Sequence, residues 1–189
     1  CEEDIEGCTD EKACNFNMNA TSPDYASCEY SALGFDCEGT ITAQIGDVIE
    51  GGYLFYIDET GEHGLVAALE DLTEGASDPL GSGFNGYEWG CFESNVSGAD
   101  GKVIGAGYNN TLDIVAQNCQ TYYGGITAAQ AALDYISDVY SDWYLPSNDE
   151  LVEMYNTIGS GGAEGNIGGF QSNWYWSSSE YNNNYAWSV

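Results

Sequence analysis

Residues 143–151, with the sequence WYLPSNDEL, contain the clearest structural signal in the chain. Pro146 favours a boundary just before a helix, and Ser147 followed three residues later by Glu150 matches a capping box. Asp149 and Glu150 would lie in the first helical turn, where the helix dipole favours negative charge. The apolar residues that follow recur at helical spacing and predict one buried face, made of Leu151, Met154, Tyr155 and Ile158.

Strand and helix patterns lie on both sides of this helix. Upstream, residues 52–58 and 65–68 are predicted to be two strands of a β-hairpin, joined by a polar turn that contains glycine. Thr127 with Gln130 predicts a second capping box and a helix over 127–140, and a shorter helix is expected at 111–117. Strand-like runs follow at 174–179 and 185–189. The mixture indicates an α+β domain.

The charge of the chain is strongly one-sided. Its 189 residues include 31 acidic side chains and only two lysines, with no arginine, which gives a net charge of −29. Repulsion from phosphate excludes nucleic-acid binding and direct electrostatic attachment to anionic lipids. Hydrophobic residues still make up 43% of the chain, and aromatic residues 14%, so a folded core is expected.

Seven cysteines in so short a chain indicate an exported protein: Cys1, Cys8, Cys14, Cys28, Cys37, Cys91 and Cys119. We expect Cys1 to carry the lipid of a bacterial lipoprotein, which leaves six cysteines to close three disulfides. The acidic residues 2–4 resemble the export signal of surface lipoproteins in Bacteroidota-type bacteria. The predicted location is therefore the outer membrane, surface-exposed and lipid-anchored. The alternative is that Cys1 has an unmodified thiol.

The composition divides the chain into an N-terminal module (residues 1–40) and a main domain (residues 41–189). The module holds five cysteines and little apolar periodicity, so disulfides among Cys8, Cys14, Cys28 and Cys37 should replace a core. Three connectivities are open to these four cysteines. Residues 7–39 resemble short GCTD…ACN…SC modules, which are often found in tandem in surface and secreted proteins of aquatic bacteria.

One stretch of the module is a candidate calcium loop. Hard oxygen ligands at roughly alternate positions are typical of such loops, and the residues concerned are Asn15, Asn17, Asn19, Thr21 and Asp24. The match to an EF-hand is poor, because Ala20 and Ala26 occupy the positions of its glycine and its bidentate glutamate. Asn, Asp and Ser are also ordinary turn residues, so a loop without metal is the alternative.

The main domain resembles the C-terminal domain family of the Legionella collagen-like adhesin over about residues 45–189. The motifs that carry the resemblance are GGYLFYI (51–57), HGLVA (63–67), WGC (89–91), WYLPSNDEL (143–151), YWSSSE (175–180) and AW (186–187). The resemblance implies a C-type-lectin-like fold with two helices on a small twisted antiparallel sheet, long loops, and a Cys91–Cys119 disulfide. The sulfated glycosaminoglycans attributed to that adhesin need basic residues, which these motifs lack, so that ligand class is not expected here.

The sequence favours a protein without catalytic activity. The single imidazole, His63, falls in the hairpin turn with no second ligand or base at a useful spacing. Cys91 and Cys119 could instead be a reactive thiol pair, as in formylglycine-generating enzymes of lectin-like fold, but a structural disulfide is the favoured interpretation.

The predicted ligand-binding residues are loop aromatics beside Asn, Gly and Ser: Tyr87, Trp89, Tyr108, Tyr122, Tyr123, Tyr181 and Tyr185. Aromatics in or near the predicted strands and helices are assigned to the core by default: Tyr53, Phe55, Trp143, Tyr144, Tyr175 and Trp176. We therefore expect a surface lipoprotein that binds a protein partner, as an adhesion module or as a subunit of an outer-membrane complex. The alternative is a calcium-dependent lectin that binds glycans.

Overall fold

The computed structural model describes residues 4–73 and 86–189, and Cys1 lies outside this part of the chain. The fold is mixed α+β, with three helices, small antiparallel sheets and three disulfides in the described residues. None of the described helices is long and apolar enough to cross a membrane.

The N-terminal module has almost no apolar core. Strands β1 (Glu6–Gly7) and β2 (Ser22–Pro23) pair in parallel, and a 3₁₀ helix spans Tyr25–Ser27. Its buried apolar residues are Cys8 and Ala13. The disulfides Cys8–Cys28 and Cys14–Cys37 close loops of 20 and 23 residues, which selects one of the three open connectivities.

The main sheet joins β3 (Val48–Ile49), β4 (Gly52–Ile57) and β5 (Gly64–Ala68) in the order β3-β4-β5, all antiparallel. The predicted hairpin is confirmed, with a bulge between Leu54 and Tyr56. Phe55 and Ala67 pack against Ile158 in one small core cluster, which holds the sheet against the third helix.

Three helices follow: α1 (Gly107–Gln117), α2 (Ala128–Asp134) and α3 (Asn148–Thr157). The capping box of α3 is present as predicted, since Ser147 and Glu150 bond each other's backbone N–H. At α2 only half of the predicted box forms, because Thr127 accepts from the Gln130 N–H while the Gln130 side chain donates to Asp134.

The predicted helix 127–140 is wrong over its second half. Tyr135 takes an extended conformation, and Ser137 and Tyr140 close a tight turn by two backbone hydrogen bonds. Ile136 and Val139, which that helix would have contained, are 66% and 85% exposed. The helix ends at Asp134, and the Tyr135 ring that follows it packs edge-on against Trp143, with the ring centroids 5.6 Å apart.

The chain closes with the antiparallel pair β6 (Trp176–Asn182) and β7 (Tyr185–Ser188). The second core cluster contains Trp89, Val96, Ile114 and Ala129 together with Cys91 of the Cys91–Cys119 disulfide, and Ala186 of β7 packs against it. The disulfide that the family resemblance implied is therefore confirmed, and it lies beside α1 and α2.

Candidate functional site

A cleft of about 1060 Å³ opens beside the main sheet. Its walls include residues of β4 and β5, of α2 and α3, and of four further segments, residues 70–73, 86–88, 135–146 and 170–176. Aromatic and acidic side chains dominate the loop segments, whereas the sheet and helices contribute mainly aliphatic residues such as Leu54, Val66 and Leu151. The cleft is large enough for a ligand of several chemical groups, since pockets for drug-sized molecules measure roughly 300–1,000 Å³.

One aromatic wall consists of Tyr135, Tyr140, Trp143 and Tyr144, all half-buried. The Trp143 indole N–H donates to the Tyr140 carbonyl at 3.2 Å. The Tyr140 ring lies directly on Gly51, where an added Cβ would be 2.7 Å from the ring and the φ of +78° also favours glycine. These contacts fix the rings before any ligand arrives.

A second aromatic wall consists of Phe170, Trp174, Tyr175 and Trp176. Trp174 is 70% exposed and also lines a smaller adjoining pocket of about 460 Å³. Trp176 is 41% exposed, and its indole N–H donates to the Tyr87 carbonyl at 3.2 Å. The sequence placed Trp176 in the core by default, and the structure corrects this, since the ring faces solvent at the cleft.

Five acidic residues belong to the cleft: Glu50, Glu70, Asp71, Glu88 and Asp142. Two of these carboxylates hold loops in place. Glu88 accepts the backbone N–H groups of Tyr122 and Tyr123 at 2.8 and 2.9 Å, and Asp71 accepts the Tyr175 hydroxyl at 2.9 Å. Glu50, Glu70 and Asp142 are exposed at the rim. No lysine, arginine or histidine lines the cleft within the residues that the structure describes.

Tyr175 provides a test of the cleft geometry by titration. Burial and the hydrogen bond to Asp71 raise the pKa of Tyr175 to about 12, although the backbone N–H of Gln171 opposes this by donating to its oxygen. Because the ordinary tyrosine pKa is about 10, the contribution of Tyr175 to stability is present below pH 10 and is lost as the pH rises toward 12. When tyrosinate absorbance is measured against pH, the unchanged protein should show a titration with a midpoint near pH 12. Tyr175→Phe should lack it.

The same titration in Tyr25→Phe, which removes an exposed tyrosine of the N-terminal module, is the control. It should leave the high-pH component of the folded protein in place. A Tyr175→Phe difference curve centred at the ordinary tyrosine pKa would contradict the described environment of this wall.

A buried polar network joins the elements next to the cleft. It links the two motifs that carry the sequence resemblance, because the Asn148 N–H donates to Ser179 Oγ at 2.9 Å and the Ser178 N–H donates to the Pro146 carbonyl at 2.7 Å. Asn110 of α1 completes the network by donating to Ser178, to Ser179 and to the Gly101 carbonyl. The motifs WYLPSNDEL and YWSSSE thus serve mainly to join α1, α3 and β6.

Glu150 is the charged member of this network and is fully buried. Its carboxylate accepts from the backbone N–H groups of Ser147 and Gly105 at 2.6 and 2.7 Å, and from the Tyr144 hydroxyl at 3.4 Å. Burial, reinforced by the Glu150 charge, raises the pKa of Tyr144 well above the ordinary tyrosine range. Glu150 therefore connects the helix cap to a ring of the cleft.

The seven aromatics predicted to bind ligand do not form one surface. Tyr87 and Tyr123 line the cleft, and Tyr122 packs edge-on against Tyr123, with ring centroids 4.8 Å apart. Trp89 is buried in a core cluster and donates its indole N–H to the Ser177 carbonyl, so it does not lie on an exposed loop. The remaining three residues lie outside the cleft lining: Tyr108 packs on Tyr144, Tyr181 packs on Trp187, and Tyr185 is exposed on β7.

The candidate calcium loop uses its polar side chains for internal hydrogen bonds. Asn15 bonds the backbone of Ser27 and Glu29, Asn17 accepts from the Asn19 N–H, and Asp24 caps the 3₁₀ helix. Thr21 accepts from the Ile5 N–H and donates to Asp4. Across residues 4–73 and 86–189, no cluster of three or more His, Cys, Asp or Glu side chains could hold a metal ion. Calcium binding by Asn15, Asn17, Asn19, Thr21 and Asp24 stays a prediction.

The sequence reasoning missed the aromatic residues Tyr135, Tyr140 and Trp174, and the rim carboxylates of Glu50 and Asp142. A usable signal was available for Trp174, which is preceded by the polar residues Gln171, Ser172 and Asn173. Tyr135 and Tyr140 were obscured because the apolar periodicity placed both in a helix. Comparison with protein-family models, with curated proteins and with solved structures finds no match to this chain.

Proposed function

We propose that this protein is a non-enzymatic recognition module on a bacterial cell surface, which binds a protein partner through the aromatic and acidic cleft. The observation that carries the proposal is the cleft itself: a cavity of about 1060 Å³ lined by aromatic rings and five carboxylates. Aromatic side chains provide a large contact area at low conformational cost, which is the usual composition of a binding surface.

The absence of catalysis belongs to this proposal, and the bonds made by the chemically suggestive groups support it. Cys91 and Cys119 form a disulfide, which leaves no free thiol at either position. Asp71 and Glu88 are engaged by a tyrosine hydroxyl and by backbone N–H groups, and Glu150 serves as a helix cap. A C-type-lectin-like architecture, in which α2 and α3 would be the paired helices, is the finer form of the fold that we propose.

Surface anchoring through a lipid on Cys1 is part of the same proposal. Three disulfides are consistent with an oxidising compartment, and they use every cysteine except Cys1. The mass of the N-terminal peptide from protein made in its native host tests this directly. An acylated peptide is expected, and an unmodified Cys1 would contradict the anchor.

A calcium-dependent lectin is the second candidate, favoured by Trp174 and Trp176, whose exposed rings beside carboxylates could stack on a sugar. A glycan array with calcium, repeated with EDTA, separates the two candidates. Binding to specific glycans that is lost with EDTA would establish the lectin. No binding to any glycan on the array would favour the protein partner. A protein complex that survives EDTA would count against a calcium bridge.

Trp174→Ala should weaken partner binding by about tenfold or more without changing the melting temperature, because the ring is 70% exposed and contributes little to the core. Tyr25→Ala in the N-terminal module is the matched control, since that ring is 69% exposed and does not line the cleft. Binding is measured by surface plasmon resonance on the partner recovered from native membranes. Equal affinities for the two variants would contradict binding through the cleft.

A further inference from the structure

The charge of the cleft indicates the chemistry of its ligand. Five carboxylates lie in the lining, and no basic side chain opposes them among the described lining residues. The whole chain has only Lys12 and Lys102 as cations, and neither is in the cleft. Since unpaired like charges at a surface raise the local concentration of the opposite charge, the cleft favours a cationic ligand over a neutral or anionic one.

The carboxylates are not equivalent. Asp71 and Glu88 already accept hydrogen bonds from Tyr175 and from the 122–123 backbone. Glu50 and Asp142 are exposed and border Tyr140: Glu50 precedes Gly51, on which the Tyr140 ring lies, and interacts with the Tyr140 hydroxyl, while Asp142 follows Tyr140 by two residues. These two carboxylates therefore lie at the same end of the cleft, close to one aromatic ring.

That end of the cleft also brings several aromatic rings together. Tyr135 and Trp143 meet edge to face with their centroids 5.6 Å apart, and Trp143 is bonded to the Tyr140 carbonyl. Ammonium and guanidinium groups bind to the faces of such rings, and more strongly when carboxylates are adjacent. A lysine or arginine side chain would satisfy the rings and the carboxylates together.

We infer that the cleft binds a basic segment of the partner protein, with a lysine or arginine side chain at the end formed by Tyr135, Tyr140, Trp143, Glu50 and Asp142. The inference rests on the proposed recognition function and specifies its ligand. The other aromatic residues of the lining, among them Trp174, would contact the neighbouring residues of the segment.

The test uses a randomised short-peptide library displayed on phage and selected on the full chain with its disulfides intact. Selected peptides should be rich in lysine and arginine. When they are resynthesised with citrulline for arginine and acetyl-lysine for lysine, affinity should fall by about tenfold or more, and it should also fall as salt is added. Selection of neutral or acidic peptides, or of no peptide, would overturn the inference.

Variants of the chain locate the effect. Glu50→Gln with Asp142→Asn should weaken the basic peptides by about tenfold. Glu11→Gln with Glu29→Gln makes the same change in net charge at exposed positions outside the cleft and should change affinity by less than about twofold. If the two double variants lower peptide affinity equally, the attraction comes from net charge in general, and the inference is overturned.

The inference and the proposed function fail differently. If neutral peptides are selected and Trp174→Ala abolishes their binding, the cleft remains the recognition site and only the basic specificity is wrong. If peptides bind but neither Trp174→Ala nor the Glu50–Asp142 pair affects them, both are wrong.

Discussion

Glu150→Ala should lower the free energy of unfolding by about 3–5 kcal/mol, because it leaves the buried Ser147 N–H and two part-buried donors without their acceptor. The carboxylate is completely buried and accepts from Ser147, Gly105 and Tyr144, so its removal affects the α3 cap, the loop before α1 and one ring of the cleft at once. Urea denaturation followed by tryptophan fluorescence measures the loss.

Asp149→Ala is the matched control, since Asp149 lies one residue earlier in the same helical turn and is exposed. Its loss should cost less than about 1 kcal/mol, the usual value for an exposed acid at a helix N-terminus. If Glu150→Ala is no more destabilising than Asp149→Ala, the buried network does not hold α1 and α3 together as described.

The second large effect is expected in the N-terminal module. Replacing Cys8, Cys14, Cys28 and Cys37 by alanine should unfold the module, because its described residues bury only one apolar side chain besides Cys8 itself, that of Ala13, and this cannot replace two disulfides that each contribute about 3 kcal/mol. Hydrogen exchange reports the outcome locally. The Asn17 and Asp24 amides, which donate to the Cys8 and Gly7 carbonyls, should lose protection.

The Leu54 amide in β4, which donates to Asp47, serves as the internal control and should stay protected. This contrast follows because the main domain has its own clusters around Phe55 and Ile114 and keeps the Cys91–Cys119 disulfide. Protection that persists at Asn17 would mean that hydrogen bonds alone hold the module, and loss at Leu54 would mean that the main domain needs the module to fold.

Local signals in the sequence predicted the elements whose determinants are local. The capping box at Ser147 and Glu150 and the hairpin around Gly61 involve residues a few positions apart, so the pattern was sufficient. The early start of α1 was not predictable in this way. Gly107 looks like a helix breaker, but it is the first residue of α1, and a Cβ at this position would clash with Glu150 Oε2, which is far away in sequence.

The site could be predicted only in part for the same reason. The loop aromatics were recognised as a binding composition, and Tyr87 and Tyr123 do line the cleft. Trp89 has the same local context but is buried, because the chain folds it against Ile114 and Ala129. Which tryptophan faces solvent depends on tertiary packing, so the polar residues before Trp174 were a signal that did not separate it from Trp89.

Position-specific photo-crosslinking in the native host tests the recognition role of the cleft most directly. A photoreactive phenylalanine derivative is placed at Trp174 in one strain and at Tyr25 in another, since both side chains are exposed to the same degree. Recognition through the cleft predicts a discrete crosslinked protein from position 174 and none from position 25. No product from position 174, or the same products from both positions, would contradict it.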